Sequence, residues 1–151
     1  MIKVIAIAAA AVLLGVVAYI RLAPHDPARW HEDPTLVARP STPNYHLIRL
    51  VGGDAIAPVF DATPAALAQA LDDVARDDGA ELIAGSVEDG RMTYVTRTRW
   101  MGYPDYTSVK VTEVGEGASF AAFARARFGQ SDLGVNRARL ERWTAALKAR
   151  F

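Results

Sequence analysis

The chain begins with one long apolar segment, which restricts its architecture more than any other feature. Residues 4–20 are seventeen consecutive apolar or small residues between Lys3 and Arg21. A helix of that length extends about 26 Å, close to the roughly 30 Å hydrocarbon core of a bilayer. Tyr19 and Arg21, at the end of this helix, are residue types that commonly lie at the level of the lipid headgroups. We therefore expect a transmembrane anchor over residues 1–21, which contacts membrane lipid through residues 4–20.

A cleaved signal peptide is the alternative interpretation of this segment. It has the same charged start and apolar middle, and Val16 and Ala18 would be the small residues at its cleavage site. Basic residues are nearly balanced on the two sides of the segment, so charge alone does not set its orientation. The very short amino-terminal tail favours a single-pass protein of the inner (cytoplasmic) membrane with its domain in the periplasm.

The charge composition limits the partners. The chain has 17 basic and 17 acidic residues, whereas a nucleic-acid-binding protein usually has a basic excess. We therefore expect no nucleic-acid partner. Residues 54–89 contain nine acids and one base, and residues 117–151 contain seven bases and two acids. These regions either face one another, cover solvated helices, or provide a surface for an anionic ligand; we prefer the first two interpretations.

Residues 22–43 are predicted to be a proline-rich tether, because they contain five of the eight prolines. Within them, Trp30 is expected either on the domain or at the membrane surface. Several side chains of metal-ligating type occur here, but their spacing matches no recognised site and the prolines oppose a helix. We expect a solvated tether with no metal and no cofactor. These side chains are His25, Asp26, His31, Glu32 and Asp33.

Residues 44–151 are predicted to form one α+β domain, with an antiparallel sheet and two helices on one face. Thr63-Pro64 is typical of a helix start, and Asp78-Gly79 of a helix end. Leu140, Trp143 and Leu147 predict the buried stripe of the last helix. Strands are expected over 45–51, 56–60 (an edge strand broken by Pro58), 81–87, 92–100, 107–114 and 118–128, and helices over 64–77 and 133–149.

The segment between the last strand and the last helix has the most distinctive pattern. Ser131 and Asp132 occupy positions where a helix N-cap is needed. In a structural interpretation, Asp132 caps the helix and pairs with Arg127 or Arg137. In a functional interpretation, the helix start and the arginines hold an anion. We prefer the structural role, because an acid at the cap competes with an anionic ligand.

This segment also resembles a known family. The pattern Arg127-x-Gly129-x-Ser131-Asp132-x-Gly134-x-Asn136-Arg137-x-Arg139 is similar to the closing signature of domain-of-unknown-function family fourteen-ninety-nine, found in bacteria and plastids. Upstream, Pro43-Asn44, Ile56-Ala57-Pro58 and residues 97–105 resemble further parts of the family pattern. Tyr45 and Tyr106 replace a common cysteine and the second acid of an Asp-Asp pair. The family has no established activity, so the resemblance implies a fold unit and no mechanism.

The loop over residues 100–106 is a second candidate surface, because Trp100, Tyr103 and Tyr106 can contact a ligand or a membrane. The alternative is that Trp100 and Tyr106 close the end of the core. No phosphate loop, Gly-x-Ser-x-Gly or His-Glu-x-x-His occurs. A carboxylate-pair enzyme stays open, since the sequence does not place Asp61, Asp105 and Asp132 relative to one another.

We therefore predict a membrane-anchored periplasmic binding or assembly domain, leaning away from an enzyme. Its partner would be an envelope protein or an anionic small molecule. The alternative is a hydrolase or transferase that acts on an envelope component through carboxylates. Arg139→Ala is expected to be nearly neutral for stability. The candidate ligand-binding residues are Arg127, Ser131, Asp132, Asn136, Arg137, Arg139, Trp100 and Tyr103.

Overall fold

The computed structural model describes residues 1–99 and 101–151. These residues form four helices and a seven-stranded sheet, which confirms the predicted α+β class. The helices are α1 (Ile2–Leu22), α2 (Pro27–Trp30), α3 (Pro64–Asp77) and α4 (Val135–Lys148). The strands are β1 (Tyr45–Arg49), β2 (Ala55–Ile56), β3 (Val59–Phe60), β4 (Glu81–Ser86), β5 (Arg91–Arg97), β6 (Pro104–Val114) and β7 (Gly117–Ala126).

The sheet is a four-strand meander with an added edge. Strands β4 to β7 pair antiparallel in sequence, and β1 lies beside β7, giving the order β2-β1-β7-β6-β5-β4. Because β1 and β2 are parallel, the sheet is mixed rather than purely antiparallel. The predicted strand over 56–60 is divided at Pro58, which has no N–H to donate to a ladder. Its second half, β3, pairs with β7.

The main core lies between one face of the sheet and the two helices α3 and α4. Helix α3 begins at Thr63, whose Oγ1 accepts the N–H of Ala66 at 3.2 Å, with Pro64 in its first turn. Both helices contact β7, where small side chains permit close approach. This confirms the predicted packing of two helices on one face. The core residues of β7 are Ala118, Phe120, Ala122 and Ala124.

The opposite face of the sheet is covered by residues 23–37, which we name the strap. This corrects the prediction of a solvated tether, because Trp30 is only 7% exposed and stacks on Tyr106 at 3.9 Å between ring centroids. The carbonyl oxygen of Trp30 accepts hydrogen bonds from Arg125 Nη2 at 2.6 Å and Ser108 Oγ at 2.8 Å. Sequence patterns could not show these contacts, since they join residues far apart in the chain.

Four of the five side chains considered as metal-ligating fasten the strap to the sheet, while Asp26 caps the short helix α2. His31 Nδ1 lies 2.9 Å from Thr93 Oγ1, and burial, with the nearby Arg91, lowers the pKa of His31. Asp33 pairs with Lys110 at 2.5 Å, and Glu32 pairs with Arg125 at 2.9 Å. His25 Nδ1 lies 2.8 Å from the hydroxyl of Tyr106, while Arg97 contacts its other ring nitrogen at 3.0 Å.

Helix α1 is long and apolar enough to cross a bilayer, with a mean hydropathy of 2.4, although a signal sequence has the same composition. Its last turn contacts the domain. Ile20 is 5% exposed, and its carbonyl oxygen accepts a hydrogen bond from Arg97 Nη1 at 3.4 Å. The ring of Tyr19 meets that of Phe128 edge to face at 6.4 Å. The end of α1 and the domain therefore form one packed unit.

Candidate functional site

A cavity of about 450 Å³ lies where the start of β6, the end of β7 and the segment before α4 meet. We name it the Asp105 cavity. In the described part of the chain, both charged side chains that line it are carboxylates, and the remaining lining is mostly apolar or aromatic. Its principal lining residues are Tyr103, Asp105, Phe128, Ser131, Asp132 and Val135.

Asp105 is the buried acid of this cavity. It is 5% exposed and pairs with Arg139 at 3.5 Å between Oδ2 and Nη2. Burial raises the pKa of Asp105 to about 6; the Arg139 guanidinium opposes the rise and the Asp132 carboxylate adds to it. A carboxyl with this pKa is ionised at neutral pH and accepts protons in mildly acidic solution.

Arg139 and Asn136 support Asp105 from α4. They are three residues apart on one helix face, and Arg139 Nη1 donates to Asn136 Oδ1 at 2.6 Å. Both side chains are buried. Among the described residues, Asn136 Nδ2 and Arg139 Nε find no hydrogen-bond partner. The cluster thus has more hydrogen-bond donors than acceptors. The carboxylate of Asp105 balances the positive charge of Arg139.

Asp132 holds the start of α4 in place. Its two carboxylate oxygens accept the N–H groups of Gly134 at 3.0 Å and Asn136 at 3.1 Å. Asp132 therefore accepts a first-turn N–H as predicted, but the N-cap residue itself is Gly134. Leu133 has φ 53° and Gly134 has φ 80°, so two left-handed residues precede the helix. This explains why α4 begins at Val135 and not at Leu133 as predicted. A left-handed leucine costs about 1–2 kcal/mol, and Asp132 offsets that strain.

Asp132→Ala is expected to lower the free energy of unfolding by about 1 kcal/mol, because it removes both hydrogen bonds to the helix start. Denaturant titration of the full-length protein in detergent measures the change. Ser131→Ala is the matched control, since Ser131 Oγ accepts a single exposed N–H, that of Leu133 at 3.3 Å. Equal midpoints for the Asp132→Ala variant and wild type would contradict the capping role.

The candidate arginines lie in different parts of the structure and have different partners. Arg127 Nη1 donates to the carbonyl of Pro24 at 2.9 Å and to the hydroxyl of Tyr106 at 3.3 Å, on the strap side of the sheet. Arg137 pairs with Glu141 at 2.8 Å, so the predicted pairing of Asp132 with Arg127 or Arg137 is wrong. With Arg139 buried against Asp105, these arginines do not converge on an anion.

Tyr103 connects the cavity to the end of α1. Its ring packs edge to face on Phe128 at 6.1 Å, and Phe128 in turn contacts Tyr19. Gly102, with φ 72°, allows the loop to approach Arg21 so closely that a Cβ would lie 2.8 Å from its Cγ. Trp100, another candidate of this loop, lies outside the described residues.

A second concave surface lies between β1 and α4, with a volume of about 630 Å³. Arg137 and Glu141 line it, together with His46 and Lys148. His46 Nδ1 lies 3.9 Å from Asp54 Oδ2, and burial lowers the pKa of His46. Since charges of both signs pair with each other along this groove, it offers no clear charge preference to a ligand.

The buried pairing of Arg139 with Asp105 was not predicted from the sequence. The signal was available, because Asn136 and Arg139 lie one helical turn before Leu140 and Trp143 and so continue the buried stripe. The position of Asp105 beside Asp132 was not predicted either. That juxtaposition depends on the pairing of β6 with β7, where Asp105 is opposite Ala126.

Two comparisons with known proteins bear on the chain. A family model described as "Protein of unknown function (DUF1499)" matches residues 31–147, which is well over half of the chain. The matched region starts inside the strap, next to Trp30, and includes the whole sheet and nearly all of α4. None of the curated proteins matches the chain.

Proposed function

Because the chain belongs to the DUF1499 family, whose description assigns no function, we propose a role from its own site. In this proposal the protein is a single-span envelope protein whose periplasmic domain binds a ligand in the Asp105 cavity. The observation that carries the proposal is the cavity itself, which combines aromatic walls with a buried carboxylate. Sites for small molecules typically have this composition.

The contacts of α1 support an anchor rather than a cleaved signal. All 21 residues of α1 precede a strap that is bound to the sheet, and Ile20 and Tyr19 pack on the domain. A segment removed on export has no need of such contacts with the mature domain. Fractionation with amino-terminal sequencing tests this point: an unprocessed chain in the aqueous fraction would contradict it.

The geometry of the loops supports binding. Leu133 is strained and 93% exposed at the edge of the cavity, although nothing in the turn itself requires a leucine. Strained backbone of this kind is concentrated at ligand-binding sites. The cavity is also built from a loop and two element ends held by a rigid sheet, which is a common arrangement for binding residues.

Val135→Trp tests the cavity, because Val135 is 43% exposed and lines it. The full-length protein is purified from its native membrane, and the small molecules that accompany it are identified by mass spectrometry. We expect one molecule to accompany wild type and to be lost from Val135→Trp. Leu50→Trp is the control, since Leu50 is 40% exposed and lies away from the cavity. The same set of molecules with both variants would overturn the proposal.

A hydrolase or transferase is the second candidate, because Asp105 and Asp132 line one cavity and burial raises the pKa of Asp105 to about 6. Such a carboxyl suits general acid catalysis. Binding is preferred, since Asp132 accepts two backbone N–H groups and Asp105 pairs with Arg139. Both acids are thus engaged within the protein. Turnover of an envelope component that disappears in Asp105→Asn would favour the enzyme.

A further inference from the structure

We propose that the ligand of the Asp105 cavity is an amine-bearing membrane lipid, whose headgroup enters from the bilayer surface beside α1. The inference rests on the proposed membrane anchor and names the class of ligand for the same site. It combines two independent observations. One is the position of the cavity relative to α1, and the other is the chemistry of its lining.

The position follows from a chain of ring contacts. Tyr19, in the last turn of α1, contacts Phe128 at 6.4 Å, and Phe128 contacts Tyr103 at 6.1 Å. Phe128 and Tyr103 both line the cavity. One aromatic ring therefore separates the anchor from the cavity. Since α1 ends at Leu22, which is 80% exposed, this level is the boundary between acyl chains and headgroups.

Apolar side chains extend the same edge toward the membrane. Leu133 is 93% exposed, Val135 is 43% exposed and Met101 is 37% exposed. Leu133 and Val135 line the cavity, and Met101 is in the loop that approaches Arg21. In a lipid bound here, the upper part of the acyl chains contacts these residues. The contact removes their exposed apolar side chains from water.

The lining selects an amine headgroup over an anionic one. Two carboxylates, Asp105 and Asp132, line the cavity, whereas one guanidinium, that of Arg139, lies behind Asp105. With all three groups ionised the cluster has one net negative charge. The ring of Tyr103 adds a favourable contact for a cation, whereas the guanidinium of Arg127 already lies over the ring of Phe128 at 5.3 Å from its centroid. A phosphoglycerol headgroup without an amine gains neither of these interactions.

The experiment measures lipid retention by the full-length chain. The protein in detergent receives equal amounts of phosphatidylethanolamine and phosphatidylglycerol with identical acyl chains, and native mass spectrometry records what stays bound. We expect phosphatidylethanolamine to be retained at least about tenfold over phosphatidylglycerol. Val135→Lys places a cation at the cavity and should reduce this ratio to about one, while Leu50→Lys, of similar exposure, should keep it.

A further variant and a soluble competitor test the aromatic contact and the membrane source of the ligand. Tyr103→Leu removes an aromatic face without changing charge and should lower the ratio several-fold. The soluble headgroup glycerophosphoethanolamine should not displace the lipid; displacement at equal concentration would overturn the membrane source. Equal retention of both lipids, or a preference unaffected by Val135→Lys, would overturn the inference. The lipid test can fail while another molecule co-purifies with wild type and is lost from Val135→Trp. In that case the cavity binds another class of ligand, and the proposed function stands.

Discussion

Replacement of Arg139 by alanine is expected to lower the free energy of unfolding by about 3–5 kcal/mol, because it leaves the buried Asp105 carboxylate without a counter-charge. Both side chains are nearly inaccessible, with exposures of 5%. The change also deprives Asn136 of its hydrogen-bond donor. This reverses the expectation from the sequence, under which Arg139→Ala is nearly neutral. Chemical denaturation of the full-length protein in detergent measures the loss.

Arg137→Ala is the matched control for Arg139→Ala, since it removes the same side chain two residues earlier on the exposed side of α4. Its midpoint is expected to equal that of wild type. The double variant Asp105→Ala, Arg139→Ala should be more stable than Arg139→Ala alone, because no unpaired charge stays buried. A double variant that is less stable than the single one would contradict the ion-pair explanation.

Trp30→Ala is expected to cost about 3–5 kcal/mol, the usual range for loss of a buried tryptophan. The side chain stacks on Tyr106, and its removal opens a cavity between the strap and the sheet. The carbonyl contacts with Arg125 and Ser108 remain in principle but lose the packing that positions them. Denaturation detects the loss of stability, and limited proteolysis detects release of the strap.

Leu36→Ala is the control for Trp30→Ala, because Leu36 belongs to the same strap and is 80% exposed. It should leave both stability and the proteolysis pattern unchanged. If Trp30→Ala instead behaves like Leu36→Ala, the strap contributes nothing to the fold, and the original interpretation of a solvated tether would be restored.

Features with local signals could be predicted from the sequence. Helix α3 has a hydroxyl cap at Thr63, Pro64 in its first turn and Gly79 just past its end. The hairpins that join β4 to β5 and β6 to β7 have glycine turns at Gly90 and Gly115. In each case a few neighbouring residues determine the conformation, so no distant contact was needed.

Features that depend on distant contacts could not be predicted in the same way. Trp30 and Tyr106 are far apart in the chain, and polarity and proline content alone favoured a solvated strap. Tyr103 was predicted on one candidate surface and Ser131 and Asp132 on another, whereas the structure brings all three into one cavity. Asp105 completes that cavity only through strand pairing. The direction of each arginine likewise follows from tertiary contacts.

The bound strap also limits how far the domain can reach. A free chain from residue 22 to residue 43 would span roughly 70 Å if fully extended and would let the domain search a large volume. Contacts at His25, Trp30 and Asp33 remove that freedom. The domain is therefore held close to the end of α1. With the membrane anchor proposed above, we expect it to reach molecules that diffuse laterally in the adjacent leaflet rather than distant ones.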